Sequence, residues 1–222
     1  MNNSVKPYDV KREVDQVIGI MIELGLVDDQ NFPSLKNINE DECEISFNGA
    51  EYVSFALSEV EYDAIYNEFR GNRSYAARFI DGGLLQIMYI LGKEGVIKHR
   101  LAFYPSPDLR SFQDDPGLYL KDQLYLDVVS RRIIPFPLRF DYDEISASDL
   151  VHPRCHLTLG DAKGCRIPVS APISPFLFVD FVLRNFYEIE DYKFADKVPN
   201  SGICFSKSIT ENEENLVHVR VP

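Results

Sequence analysis

At 222 residues the chain lies within the reach of one sheet-based domain, and a chain of that size buries enough surface, roughly 70%, to need no disulfide or metal staple. Its 45% apolar and 26% charged residues are ordinary globular values and exclude general disorder. A net charge of −12 argues against general nucleic-acid binding, which neutralises phosphates with clustered Lys and Arg.

Acidic residues gather in Asn37–Glu44, Asp114–Asp115, Asp141–Glu144, Glu188–Asp191 and Glu211–Glu214. They read as solvated loops that confer solubility, or as an acidic face for a basic partner. The cysteines Cys43, Cys155, Cys165 and Cys204 are scattered, with no CxxC pair, as expected in a reducing compartment. The N-terminal MNNSVKPYDVKREVD lacks a signal-peptide apolar core, and the apolar run Leu84–Leu91 is too short to cross a bilayer. The expectation is a cytoplasmic protein with no membrane association.

In chain order, Val10, Val14, Val17, Ile18 and Met21 recur at helical spacing and predict a helix over Asp9–Leu26. Cys43–Phe47 and Tyr52–Leu57 predict short strands around an Asn48–Gly49 turn. Ser58 and Glu61 have capping-box spacing, so a second helix is expected from about Glu59 to Phe69. Ala76–Ile80, Leu84–Leu91 and Val96–Tyr104 predict strands joined by hairpin turns at Asp81–Gly83 and Gly92–Gly95. Period-two alternation would put Ile97, His99, Leu101 and Phe103 on one face of the last strand.

Pro105–Pro116 reads as a loop or lid, and Tyr119–Val129 fits either helix or strand. Pro135 and Pro137 exclude a helix interior from Ile133–Tyr142 and suit an edge strand. His156–Leu159 and Cys165–Val169 predict two short strands around Gly160–Gly164. Ser174–Pro175 supplies an N-cap and an N1 proline for a helix to about Tyr187, with Phe176, Val179, Leu183 and Phe186 along one face. Ile203–Phe205 and Leu216–Val221 read as final strands. About three helices alternate irregularly with hairpin-like strands and no βαβ series is evident. This predicts one α+β domain over residues 1–222, with a mostly antiparallel sheet.

Chemically capable residues concentrate between Leu138 and Ser170, LRFDYDEISASDLVHPRCHLTLGDAKGCRIPVS. His152 and His156 can exchange protons near neutral pH, and the Arg166 fork can bind phosphate or carboxylate. Together they suit metal-independent phosphodiester cleavage, with one His as base, the other as acid and Arg on the developing charge. Each also has a structural reading. His152 before Pro153 can form a turn, His156 can be a buried histidine on a backbone carbonyl, and Arg166 can pair with Asp141 or Asp143.

The spacing of His152, Cys155, His156 and Cys165 does not match paired zinc knuckles, and adjacent Cys155 and His156 would face opposite sides of a strand. No metal or cofactor is called for. A cysteine nucleophile at Cys155 or Cys165 is no better supported. HLTL at His156–Leu159 fits the H-x-[ST]-x element of two-histidine phosphoesterases, but the second copy those enzymes need is missing, since HVRV at His218–Val221 has Arg where the hydroxyl should stand. Signatures of nucleotide hydrolysis, dinucleotide chemistry, zincin proteolysis and α/β-hydrolase chemistry are absent.

The run His152–Tyr187, HPRCHLTLGDAKGCRIPVSAPISPFLFVDFVLRNFY, resembles a bacterial family known as domain of unknown function 2290. Its members carry a block of the form HPxxHLTLG…CRIP…P…P…F…F.LRNFY, and the upstream LRFDYD at Leu138–Asp143 also fits. The resemblance implies a prokaryotic, cytosolic protein and supplies no activity. His152, His156, Arg166 and the pair Arg184–Asn185 are the most distinctive letters of the block. A contact to a helix-end carbonyl is the plainer expectation for Arg184 and Asn185.

Two functions follow as expectations. One is a non-catalytic accessory or interaction component of a multi-gene defence or toxin–antitoxin system, whose acidic surface binds a protein partner encoded in the same operon. The other is a small metal-independent nuclease or phosphodiesterase using His152, His156 and Arg166. The second requires the three side chains to converge on one face. The first requires a buried His156 with protein partners.

Overall fold

In the computed structural model the described residues are 5–57, 60–107, 136–160, 164–187 and 193–222. They form an antiparallel sheet with helices of seven or more residues packed around it, the α+β arrangement expected from the pattern. The strands are β1 (Val27–Gln30), β2 (Ser34–Asn37), β3 (Cys43–Ser46), β4 (Ala77–Phe79), β5 (Leu84–Gly92), β6 (Gly95–Tyr104), β7 (Leu138–Asp143), β8 (Cys155–Leu159) and β9 (Ile167–Pro168). Their order is β1-β4-β5-β6-β7-β8-β9, and β3 joins the outer half of β5 while also pairing β2. The long hairpin β5–β6 is the centre of the sheet.

Alternation along these strands gives the sheet two different faces. Ile87 and Tyr89 of β5, His99, Leu101 and Phe103 of β6, Phe140 and Tyr142 of β7 and Cys155 and Leu157 of β8 are all buried on the first. The helices α1 (Pro7–Glu23) and α3 (Pro175–Val182) contribute to the same core through Val10, Val14, Val17 and Ile18, and through Phe178 and Val179. Ser174 caps α3 by accepting from the Leu177 N–H at 3.4 Å, with Pro175 at the first helical position, as its sequence predicts. The second face is apolar only where α2 (Tyr62–Gly71) contributes Ile65, Tyr66 and Phe69 to a cluster with Leu84, Ala102 and Tyr104. Further along β6, β7 and β8 it is polar.

Several local expectations are corrected. Residues Ala50–Leu57 form a 3-10 helix, not a strand, because β3 already pairs with β2 on one edge and β5 on the other. The second helix begins at Tyr62, and Glu61 at its N-cap makes no side-chain capping bond; Ser58 lies outside the described residues. β7 is an interior strand between β6 and β8, since Pro137 stops just short of it and every residue from Leu138 to Asp143 carries a donor N–H. The C-terminal tail makes no strand. Val219 forms one parallel bridge to Val169, after which the Val221 N–H turns to the Ser170 hydroxyl. Residues 108–135, including the expected loop after Pro107 and Tyr119–Val129, lie outside the described residues.

After α3 the chain continues as a π-helical turn, Leu183–Tyr187, which buries Leu183 and Tyr187 and leaves Arg184 and Asn185 exposed. Asn185 donates to the Phe181 carbonyl at 2.7 Å, and Arg184 pairs with Asp180 at 2.8 Å. The turn aims the Tyr187 hydroxyl at the buried Asp81 in the β4–β5 hairpin, 3.0 Å away, where the Gly83 N–H also donates to Asp81. A Cβ on Gly83 would stand 2.7 Å from the Tyr187 oxygen and 2.9 Å from the Phe103 ring, so only glycine allows this approach.

Burial pushes the Asp81 carboxyl up to about 6. A folded state that holds the proton more tightly than the unfolded chain has that stabilisation in full below about pH 4 and loses it as the pH rises through 6. Asp81→Asn keeps the acceptor and removes the ionisation. The variant should be more stable at pH 7 by about 2–3 kcal/mol, the worth of two pKa units, and should converge on the unmutated protein near pH 4. Thermal midpoints from pH 4 to 8 check this, and parallel curves would contradict it.

Candidate functional site

Antiparallel pairing sets one polar row across the second face. Arg100 on β6 lies opposite Asp141 on β7, which lies opposite His156 on β8. One step along, Ala102, Arg139 and Thr158 form the neighbouring row. His156 pairs with Pro168 and Leu157 with Ile167, and Arg166 immediately precedes β9, with its charge acting on His156. Side chains directly opposite one another share a face, so Arg100, Arg139, Asp141, His156 and Thr158 share this one.

Asp141 is the hub. The Arg100 Nε–H donates to its Oδ1 at 3.1 Å, and the Arg139 Nε lies 4.0 Å from its Oδ2. Burial works to raise this carboxyl, but the guanidiniums of Arg100 and Arg139 overcome burial and hold it below the usual carboxylate range. Arg100 also donates to the Val53 carbonyl at 3.4 Å, so the 3-10 helix overlies this part of the row. Of the two carboxylates expected to pair with Arg166, Asp141 is engaged by Arg100 at 3.1 Å and Asp143 by Lys98 at 3.0 Å.

The two histidines of the block come together. The rings of His152 and His156 meet edge to face with centroids 4.9 Å apart. His152 is placed by a backbone bridge to Ser148 in the β7–β8 connection, and its Nδ1 is buried without a hydrogen-bond partner. His156 is 4% exposed, and its Nδ1 lies 3.0 Å from the Pro153 carbonyl. A carbonyl can only accept, so Nδ1 carries the proton and Nε2 keeps its lone pair. Burial depresses the His156 pKa, the Pro153 carbonyl and Asp141 oppose that, and the charges of His152 and Arg166 reinforce it. His156 is therefore neutral at neutral pH, with its Nε2 lacking a partner among the described residues.

Three more buried polar atoms on this face make no close hydrogen bond: Arg139 Nε, whose nearest charge is Asp141, Tyr104 Oη, which the Arg139 side chain approaches, and Gln86 Oε1. Buried polar groups are paired in the great majority of cases, so such a concentration marks a place where something polar can bind. Arg100 and Arg139 both act on the one carboxylate of Asp141, and the charge of Arg166 reaches His156, which leaves a local positive excess in a chain of net charge −12. Sequence reasoning missed Arg100, Arg139 and Tyr104 because they come from other strands, and only the register brings them to His156.

His99, which alternation set on one face with Leu101 and Phe103, does something different. It lies on the first face, where Nδ1 is 3.2 Å from the Phe140 carbonyl and Nε2 accepts from the Ile173 N–H at 3.3 Å. Burial lowers its pKa to about 4. Cys155 stands beside it, Sγ to Nε2 4.0 Å, and burial pushes that thiol well up, which removes it as a nucleophile. Cys155 and His156 do face opposite sides of β8, and among the described residues no three of His, Cys, Asp and Glu gather as metal ligands. No described helix is long and apolar enough to cross a membrane.

Residues 26–221 match the family described as uncharacterized conserved protein (DUF2290), and the chain belongs to that family. No curated protein and no solved structure matches the chain.

Asp141→Asn should show how much of the face depends on one carboxylate. Removing its charge leaves Arg100 and Arg139 facing each other across β6 and β7 without compensation, a loss of about 3 kcal/mol for a buried pair. In a chain of this size that corresponds to a fall of roughly 6–12 °C in the thermal midpoint. A change of less than about 2 °C would mean that the pair is solvated in solution.

Proposed function

We propose that this DUF2290 protein binds a phosphate-bearing ligand on the β6–β8 face and cleaves a phosphodiester there. The observation that supports this most is the edge-to-face meeting of His152 and His156, with Arg139 in the neighbouring row and the charge of Arg166 acting on His156. His156 Nε2 takes the proton from the attacking oxygen, either a ribose hydroxyl or water. His152 gives a proton to the leaving oxygen, and Arg139 and Arg166 hold the non-bridging oxygens as charge builds on them. The donor set suits chemistry carried by side chains alone, because Asp141, the carboxylate at its centre, is engaged by guanidiniums.

A second reading keeps the protein as a non-catalytic component of a bacterial multi-gene defence system, cytoplasmic and bound to a protein encoded beside it. The burial of His156 and its bond to the Pro153 carbonyl favour this reading, since they also suit a structural corner.

Activity toward bis(p-nitrophenyl) phosphate and toward short RNA and DNA strands, measured in EDTA, separates the two. The enzyme reading expects turnover that falls at least 100-fold in His156→Ala and in His152→Ala, the scale of a lost acid or base. Because the folded His156 pKa is depressed, the acid limb of the pH profile should fall below the ordinary histidine value. Thermal unfolding of His156→Ala supplies the other arm. A loss of roughly 1–3 kcal/mol with no turnover in the unmutated protein would favour the accessory reading, and an unchanged or higher midpoint the functional one.

A further inference from the structure

Two loops far apart in sequence are joined at the end of the molecule that carries the β7–β8 connection. Asp149 accepts from the Thr210 hydroxyl at 2.5 Å and from the Asn212 amide at 2.6 Å. The Leu150 N–H donates to Glu213 at 3.4 Å, while Glu213 closes a capping box with Thr210 on the short helix α4 (Glu211–Glu214). This junction holds residues 144–151 beside 211–217.

Large apolar side chains project from both loops. Val217 is 90% exposed, Ile145 84% and Val151 70%, the three highest values for such residues among those described, and Leu150 and Leu216 are each about half exposed. Single exposed apolar residues are ordinary, but five flanking one hydrogen-bonded junction mark an interaction surface. Leu150 adds an independent sign. Its backbone sits at φ 64°, a left-handed conformation that disfavours a branched side chain, and there it presents that side chain to water.

The charges decide the kind of partner. The ionisable residues of the two loops are Glu144, Asp149, Glu211, Glu213 and Glu214, with no lysine or arginine among them. Lys207, which reaches in from outside, is already paired with Glu214 at 2.7 Å. An anionic membrane would be repelled by this rim, as would a second copy of the same acidic patch. We infer that the joined loops 144–151 and 211–217 are the docking surface for a protein segment whose apolar side chains are flanked by lysine or arginine. The surface gives the partner-binding reading a location, and it stands equally if the β6–β8 face is catalytic.

A short fluorescein-labelled peptide of Leu and Lys, followed by fluorescence anisotropy on the full chain, is the probe, with a Leu and Glu peptide as its charge control. The Leu/Lys peptide should bind and the Leu/Glu peptide should not. The double variant Val151→Ser/Val217→Ser, which leaves every charge in place, should weaken binding at least about tenfold without moving the thermal midpoint. Leu150→Gly should raise the midpoint by relieving the left-handed backbone and yet weaken binding, a combination that a merely structural residue would not give. Arg166→Ala should leave peptide binding unchanged, which keeps this surface distinct from the anion face. The inference is overturned if the serine variant binds the peptide as the unmutated protein does, since attraction would then be charge alone. It is equally overturned if phosphatidylglycerol vesicles bind in a Val217-dependent manner, or if sedimentation shows a dimer that Val217→Ser dissolves.

Discussion

The antiparallel register of β6, β7 and β8 is the constraint on which both faces of the molecule depend. It sets Arg100 opposite Asp141 and Asp141 opposite His156, and in the same stroke sets His99 opposite Tyr142 and Tyr142 opposite Cys155. Side chains in a strand alternate with a period of two, so a slip of one residue would drive the ionised row into the apolar core and turn the aromatic row outward. The Asp141–Arg100 pair opposes such a slip on one face, and the packing of Phe140 against Phe178 and Phe181 opposes it on the other. Hydrophobic pattern and ion pairing agree, as a sequence that specifies one register requires.

The register also explains why two buried histidines, on the strands either side of β7, are satisfied differently. His99 has both ring nitrogens satisfied, one by a carbonyl and one by an N–H, so its neutral form is fixed and nothing is left to exchange. His156 is satisfied at Nδ1 only. Both are depressed by burial and both feel Asp141, but only His156 also has His152 and Arg166 acting on it. Burial alone therefore does not distinguish a structural histidine from a reactive one. The count of free nitrogens and the company of other charges do.

The sequence made the hairpin β5–β6, helices α1 and α3 and the Ser174 cap readable, because each is a local signal: alternation, helical spacing, or an N-cap before proline. It also singled out Leu138–Ser170 as the stretch densest in chemically capable residues, within which the rings of His152 and His156 meet. What escaped it depended on distant partners. Residues Ala50–Leu57 have strand-like composition, and only the occupation of both edges of β3 keeps them from pairing. Pro137 seemed to push β7 to an edge, yet the strand begins one residue later and runs through the interior. The approach of Arg100 and Arg139 to Asp141 follows from register, which periodicity does not supply.

The β7–β8 connection ties the two proposed surfaces to one piece of backbone. Within it, Ile145, Leu150 and Val151 point to solvent while His152 turns inward to meet His156. The bridge between Ser148 and His152 spans the strained Leu150, so the conformation that exposes the leucine is the one that delivers the imidazole. Asp149, bonded to Thr210 and Asn212, fixes the same turn from outside. A ligand that gripped Leu150 and Val151 would therefore act on the turn that positions His152. Coupling between the surfaces requires no long pathway, because a single residue, Val151, separates Leu150 from the histidine whose ring meets His156.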